Sequence, residues 1–388
     1  MKPSPVFADA PVTIFEKMSG LAREYGAINL GQGFPEDPGP LALRERAAEA
    51  AIHGWNQYAP SRGLPELRQA VADHYNRMQS TALTAQEVII TSGATEAIAA
   101  SVAAWVNPGD EVLIFEPAYD AYRPLIERAG GVVKSVVLKP PHWDLHQEAL
   151  IAAIGPRTRA VLFNNPMNPA AKMFTAEELA TLARVCIAND LLVISDEVWE
   201  HVRLGDRRHL PLALVDGMSE RTIKIGSAGK MFGLTGWKVG FVCAPQDLID
   251  PVARAHQFLT FATPPLLQTA VCEGLGWDAS WFEAMGRDMG NRYALLRHSL
   301  EAEGFRCLDS DGTYFLNVDL AASGIGLGDA AFCELCVREH GVAAIPVSAF
   351  IQGGGQGSII RLCFAKPDDV LLEAAGRLGR ARKIFTKR

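Results

Sequence analysis

Short runs of apolar, β-branched residues alternate along most of this chain with longer stretches in which apolar residues recur every three or four positions. The first pattern belongs to strands buried on both faces, the second to helices lying against them. The runs predict strands at Glu87–Thr91, Glu111–Phe115, Val132–Leu138, Ala160–Asn164, Leu191–Ser195, Thr222–Gly226 and Val239–Ala244. Helices are predicted at Thr95–Val106, Ala121–Ala129, Ala176–Ala188 and Gln246–Phe261. Alternation of this kind builds βαβ units and a mainly parallel sheet. After Asp278 the pattern changes. A long polar helix runs to about Gly304, followed by strands near Tyr314–Leu320, Val342–Pro346 and Ile359–Ala365 and a final helix. That mixture reads as a second, smaller α+β domain, and the glycine-rich Gln352–Ser358 as a flexible loop.

A chain of 388 residues can bury a large core and form one big domain beside a smaller one. Its 48% hydrophobic and 21% charged content is that of a soluble globular enzyme. A formal net charge of −7 gives no case for nucleic acid or anionic membrane as partner. There is no apolar run of about 18 residues to span a bilayer. The opening MKPSPVFADAPVTIF has prolines and an aspartate where a signal peptide needs an apolar centre, so a cytoplasmic location is expected. The 7 cysteines are scattered through apolar segments and read as reduced thiols. Cys333 and Cys336 form a CxxC on a helical pattern, and His142 and His146 flank a Pro-Pro/Trp-Asp loop. Neither pair is completed by further ligands, and no metal is expected.

The segment Ile225–Gly240, IGSAGKMFGLTGWKVG, places Lys230 among glycines and small residues with apolar neighbours. Desolvation lowers the pKa of a lysine in such a turn and frees its amine to form a Schiff base. A surface loop lysine is the plain alternative. Three other segments fall where strands should end, the usual ligand edge of a parallel α/β sheet. Thr91-Ser92-Gly93-Ala94-Thr95-Glu96 joins a strand to a helix, and its N–H groups and Thr95 hydroxyl suit a phosphate or simply cap the helix. Asn164-Asn165-Pro166-Met167-Asn168-Pro169 either points the Asn168 amide into a cleft or makes a plain turn. Ser195-Asp196-Glu197-Val198-Trp199 leaves an acid at the end of a buried strand, which is costly unless it meets a cation or serves as a cap.

Taken together, an anion cradle, a directing amide, a carboxylate for a ring nitrogen and a Schiff-base lysine are the parts that hold pyridoxal 5'-phosphate. Their order and spacing resemble the class I aminotransferases, fold-type I enzymes that use this cofactor. LGQGFP, SDEV, SAGK–TGWKVG and RLCFAK are most similar to the group holding glutamine transaminase/kynurenine aminotransferases and methionine aminotransferases. The resemblance implies a large cofactor-binding domain with a mainly parallel seven-stranded sheet (residues 41–280). It also implies an N-terminal arm contributing to the small domain (1–40) and a small α+β domain (281–388). It implies that Lys230 is both the Schiff-base residue and the proton shuttle. Asp196 would pair with the pyridine nitrogen, and Asn168 would donate to the cofactor's 3-oxygen. Ser227, Lys238 and the Gly93-Ala94-Thr95 turn would take the phosphate, with Tyr119 stacked on the ring. Tyr58 would reach the phosphate from a neighbouring subunit, implying a homodimer with shared sites. Arg361 would grip the substrate α-carboxylate beside Asn168 and the Gly33 backbone.

This chain departs from the family pattern at three places. Lys238 stands where many relatives have arginine, keeping the charge and losing the bidentate fork. Trp199 replaces the usual tyrosine, so either its indole N–H donates to the 3-oxygen or Asn168 does so alone. Ala262 replaces a histidine of the kynurenine-type enzymes, which moves the chain toward the methionine-like group. Phe15, Phe34 and Phe261 either line an apolar side-chain pocket or are plain core. The expected activity is transfer of an amino group from an L-amino acid to a 2-oxo acid. β-Elimination on cysteine S-conjugates is the nearest alternative, and a sensor lacking catalysis is more distant. A nicotinamide-dependent dehydrogenase lacks support, because no strand is followed by G-x-G-x-x-G.

Overall fold

The computed structural model describes residues 3–8, 12–205 and 207–386. Its strands, in chain order, are β1 (Ile28–Asn29), β2 (Val88–Thr91), β3 (Glu111–Glu116), β4 (Val132–Val137), β5 (Thr158–Asn164), β6 (Leu192–Asp196) and β7 (Thr222–Ser227). They continue with β8 (Gly240–Cys243), β9 (Arg306–Cys307), β10 (Phe315–Asp319), β11 (Val342–Ala343), β12 (Ile345–Pro346) and β13 (Ile359–Cys363). Seven of them form one sheet in the order β2-β8-β7-β6-β5-β3-β4, parallel except for β8, which runs against both its neighbours. Every residue of β2, β3, β7 and β8 is buried. That is why these strands read as unbroken apolar runs rather than as an alternation.

Helices cover the sheet on both faces, and the positions that start them are chemically marked. Thr175 accepts a hydrogen bond from Glu178 N and donates its own N–H to the Glu178 carboxylate, which fixes the start of helix Ala176–Ala188. The same reciprocal cap, Thr84 with Glu87, closes a short turn immediately before β2.

The second region holds an antiparallel sheet, β12-β13-β10-β9. Long helices Ala279–Ala302 and Asp368–Phe385 accompany it. The predicted strand Val342–Pro346 is two. Ala344 interrupts it, so β11 pairs in parallel with β1, and β12 joins the antiparallel sheet. Cys333 and Cys336 lie fully buried on the helical segment from Asp329 to His340, within the hydrophobic core. Among the described residues, four helices of eleven or more residues carried no prediction: Ile14–Glu24, Leu41–His53, Pro65–Gln79 and Pro265–Leu275. No helix among the described residues is long and apolar enough to cross a membrane.

Parallel pairing sets the strand ends in register. Asn164 lies opposite Asp196, and Asp196 opposite Ile225, so the carboxyl ends of β5, β6 and β7 open on one edge. The four segments singled out in the sequence meet there.

Candidate active site

A cavity of about 170 Å³ at that edge is lined by Gly93, Ala94, Thr95, Tyr119, Asn168, Asp196, Trp199, Ser227, Lys230 and Lys238. Tyr122 lines it as well.

Lys230 sits in the single helical turn Ala228–Met231 that follows β7, with the Ser227 hydroxyl accepting from its backbone N–H at 3.4 Å. Its ammonium donates to the Gly33 carbonyl at 3.2 Å and stands 4.6 Å from the Trp199 ring centroid. Burial lowers the Lys230 pKa to about 8. Cys363 and Asp196 oppose that fall, while Arg361 and Lys238 add to it. Tyr314 donates to the Lys230 carbonyl at 2.8 Å and fixes the turn from the other side.

Asp196 closes β6. Burial raises its pKa to about 6, against the lowering influence of the Tyr122 hydroxyl at 2.5 Å and the Val198 N–H. A carboxylate held this way gains from a cation lying against it.

The opposite end of the cavity is the turn into helix Ala94–Trp105. Gly93 has φ +79°, and a Cβ there would lie 3.2 Å from Lys238 Nζ, so backbone N–H groups and an ammonium converge on the same point. Lys238 itself adopts the left-handed region, φ 54°, which turns its side chain back over the cradle. Gly240 of β8 passes against the same turn. A Cβ on it would come within 2.6 Å of the Gly93 carbonyl carbon and 2.8 Å of Ala94 N.

Arg361, on β13, is fully buried and stands beyond the cavity wall. It donates to the Asn168 amide oxygen at 2.7 Å and to the Gly31 carbonyl at 2.8 Å, while its Nε has no partner among the described residues. Its guanidinium stacks 3.8 Å from the Phe315 centroid, with Phe15 and Phe350 beyond. Burial penalises its charge, and Asp120 offsets only part of that. Gly33 presses on Phe315, where a Cβ would come within 2.9 Å.

Tyr58 is absent from the pocket of its own chain. It is 82% exposed and meets Phe261 edge to face at 5.2 Å. The three phenylalanines offered as a pocket disperse: Phe15 packs on Phe350, Phe34 lies near Lys366, and Phe261 lies beside Tyr58. Sequence reading missed Tyr122, Tyr314 and Phe315. A trace of the first was visible, because FEPAYDAY carries two tyrosines three apart where a helix begins.

A buried ionic cluster underlies Asp196. Lys224 Nζ donates to Glu197 at 2.9 Å, to Glu200 and to Gln79, while His209 meets Glu197 at 2.8 Å and Tyr75 donates to Glu200 at 2.6 Å. Glu197, Glu200 and His209 have metal-ligand spacing, but the Lys224 ammonium sits among the carboxylates as their cation. Burial pushes Glu197 up, yet Lys224 and His209 outweigh it and hold the carboxyl down at about 2.

The sequence pattern described as Aminotransferase class I and II matches residues 25–378. The chain is 43% identical over 379 residues to the probable N-succinyldiaminopimelate aminotransferase DapC of Mycobacterium tuberculosis, covering 94% of this chain and 95% of that one. It is 39% identical over 367 residues to the methionine aminotransferase of Escherichia coli K12, again covering 94% and 95%. Its fold superposes on the solved Escherichia coli YbdL, described as having a methionine aminotransferase function. The TM-score is 0.94 at 38% identity, covering 98% of this chain and 100% of that one.

Proposed function

We propose that this chain, which belongs to the class I and II aminotransferase family, moves the amino group of an L-amino acid with a largely apolar side chain to a 2-oxo acid in a ping-pong cycle. It is a pyridoxal 5'-phosphate-dependent aminotransferase with the aspartate aminotransferase-like fold. The observation that carries the reading is the placement of one desolvated amine, Lys230 Nζ, in a cavity with an anion cradle at one end and a buried carboxylate at the other. These groups fit the cofactor by charge. The cradle with Lys238 suits a phosphate, and Asp196 suits a protonated ring nitrogen.

Bound pyridoxal 5'-phosphate supplies an aldehyde that takes up an amine and a protonated ring that accepts the electron pair left on the substrate Cα. The chain's own residues do the rest. Near neutral pH a useful fraction of Lys230 is the free amine, able to take a proton at Nζ and return it nearby. Asp196 becomes a stable anion once it faces a cation, and the Tyr122 hydroxyl keeps it aimed. Arg361 has two N–H groups on weakly competing partners and an unpaired Nε, so a planar carboxylate can replace those partners with a fork. Asn168, bonded to Arg361, links the carboxylate grip to the cofactor side. Trp199, which lines the cavity, packs edge to face against Tyr314 and Phe315 behind it.

Methionine, glutamine or an aromatic amino acid suits the surroundings. Phe15, Phe315 and Phe350 flank Arg361, and Lys366, the cation near Phe34, is held by Glu36 at 3.0 Å. The proposal includes a homodimer in which Tyr58 serves the partner's site, consistent with its exposure here. It also includes division of the chain into an arm (1–40), a large domain (41–280) and a small domain (281–388), supported by the pairing of β1 with β11.

Visible absorbance of the cofactor-loaded protein tests the reading, with methionine, glutamine, leucine, phenylalanine, arginine, kynurenine and N-succinyldiaminopimelate added singly. A coloured band that bleaches with one amino acid and returns with a 2-oxo acid is expected. Pyruvate and ammonia released from a cysteine S-conjugate, with no such cycle, would assign elimination instead. Protein that stays colourless with added cofactor would overturn the roles given to Lys230 and Asp196.

A further inference from the structure

His256 lies on helix Gln246–Leu259, its side chain fully buried, away from the cavity. Its Nε2 is 2.8 Å from the Ser61 carbonyl, and its Nδ1 is 3.0 and 3.1 Å from the two Glu96 oxygens. A carbonyl and a carboxylate only accept hydrogen bonds. Both ring nitrogens therefore need protons, and the ring that satisfies both contacts is the imidazolium.

What His256 touches gives it a task. Glu96 is in the first turn of the cradle helix, and its carboxylate also accepts from Ser92 N at 3.1 Å, one residue before Gly93. Ser61 belongs to the loop that carries Tyr58. Thr260 places its hydroxyl 3.3 Å from Nδ1. Arg62, next to Ser61 in the chain, pairs with Asp250 of the His256 helix at 2.8 Å. Glu96 and His256 thus form the charge pair directly behind the anion cradle. A bare carboxylate there would repel a bound phosphate dianion, and an imidazolium cancels that repulsion.

We propose that His256 is a positioning residue whose buried imidazolium fixes Glu96 beneath the phosphate cradle and Ser61 in the Tyr58 loop, so that the grip on a phosphate-bearing ligand weakens as that charge is lost. This rests on the cradle being the phosphate site of the proposed function. Glu96 and the Ser61 carbonyl outweigh burial and hold the imidazolium pKa above its ordinary 6.5. The charge therefore persists above pH 6.5, where a free imidazole is already half neutral, and is lost as pH rises through the raised value.

Pyridoxamine 5'-phosphate is the suitable probe, because it cannot join covalently to Lys230. Its affinity, read by quenching of tryptophan fluorescence from about pH 6 to 10, is expected to fall with pH in the wild type more than in the variants. His256→Gln should bind roughly tenfold more weakly near pH 6.5, with a flatter profile. His256→Gln with Glu96→Gln, which removes both charges, should recover most of the loss. Nitrogen NMR of the histidine rings in the holoenzyme at about pH 6.5 provides a check without mutation, and an imidazolium with both nitrogens protonated is expected. A neutral His256 ring, or a double variant no better than the single, would overturn the inference. Holoenzyme that never becomes coloured would instead sink the proposed function on which it rests.

Discussion

The chemistry turns on how the surroundings divide two groups of ordinary reactivity. Lys230 is pulled down to about 8 and Asp196 pushed up to about 6, both mainly by burial. For Lys230 the unfolded chain binds more protons between about 8 and the ordinary 10.5, so the stability cost of burying it lifts as pH rises through that window. Trp199 acts against burial, because the face of an indole favours an ammonium by about 0.5–2 kcal/mol, or roughly 0.4–1.5 pKa units. Trp199→Leu should therefore lower the pH midpoint at which cofactor-stripped protein takes up pyridoxal 5'-phosphate, by about half a unit or more. Trp199→Tyr, which keeps an aromatic face, should shift it less. Stopped-flow absorbance across about pH 6–10 reads both, and a midpoint unmoved by leucine would deny the indole any electronic part.

Between elements, the tightest constraint is the passage of β8 across the cradle turn. Gly240→Ala would drive a methyl into the Gly93 and Ala94 backbone, and the cradle must move because the strand is paired on both sides. Overpacking of this kind costs about 1–3 kcal/mol. The variant should fold with a lower melting temperature and release pyridoxal 5'-phosphate faster, which gel filtration followed by absorbance measures. Retention equal to wild type would mean that the cradle tolerates displacement. The sequence displayed these elements unevenly. The seven strands of the large sheet were legible to within about two residues because burial on both faces leaves unbroken apolar runs. The helix Leu41–His53 was not legible, because its buried face is built from Leu43, Ala47 and Ala50, too small and sparse to mark a stripe. Pro65–Gln79 buries Leu67, Val71, Ala72, His74 and Tyr75 but is mostly polar elsewhere, and the polar His74 interrupts its apolar stripe. At the site, the residues joined by local spacing (Ser227, Lys230 and Lys238) could be read along the chain. The contacts of Tyr122 with Asp196 and Tyr314 with Lys230 span 74 and 84 residues and depend on the finished sheet.

At the scale of the whole molecule, an apolar surface remains without a partner in the single chain. Tyr58, Trp55, Ile52 and Phe258 are each more than 70% exposed, and Tyr58 rests on the half-open Phe261. Sedimentation should give twice the chain mass of 41.9 kDa. Tyr58→Phe should leave that mass unchanged while weakening cofactor retention, whereas a monomeric wild type with full activity would end the shared-site reading. One further property follows from the pairing of β1 with β11. Ile28 and Val342 stand 314 positions apart in the order of synthesis, a gap of about 15–60 s at ribosomal speed. All seven strands of the large sheet are available before that pairing can form. During this interval the segment carrying Gly31 and Gly33 has no edge to dock on, and Arg361 has not yet been made. A nascent chain can therefore assemble the turn proposed as its cofactor cradle before it acquires Arg361, the residue proposed to grip the substrate carboxylate, so competence follows the large sheet rather than accompanying it.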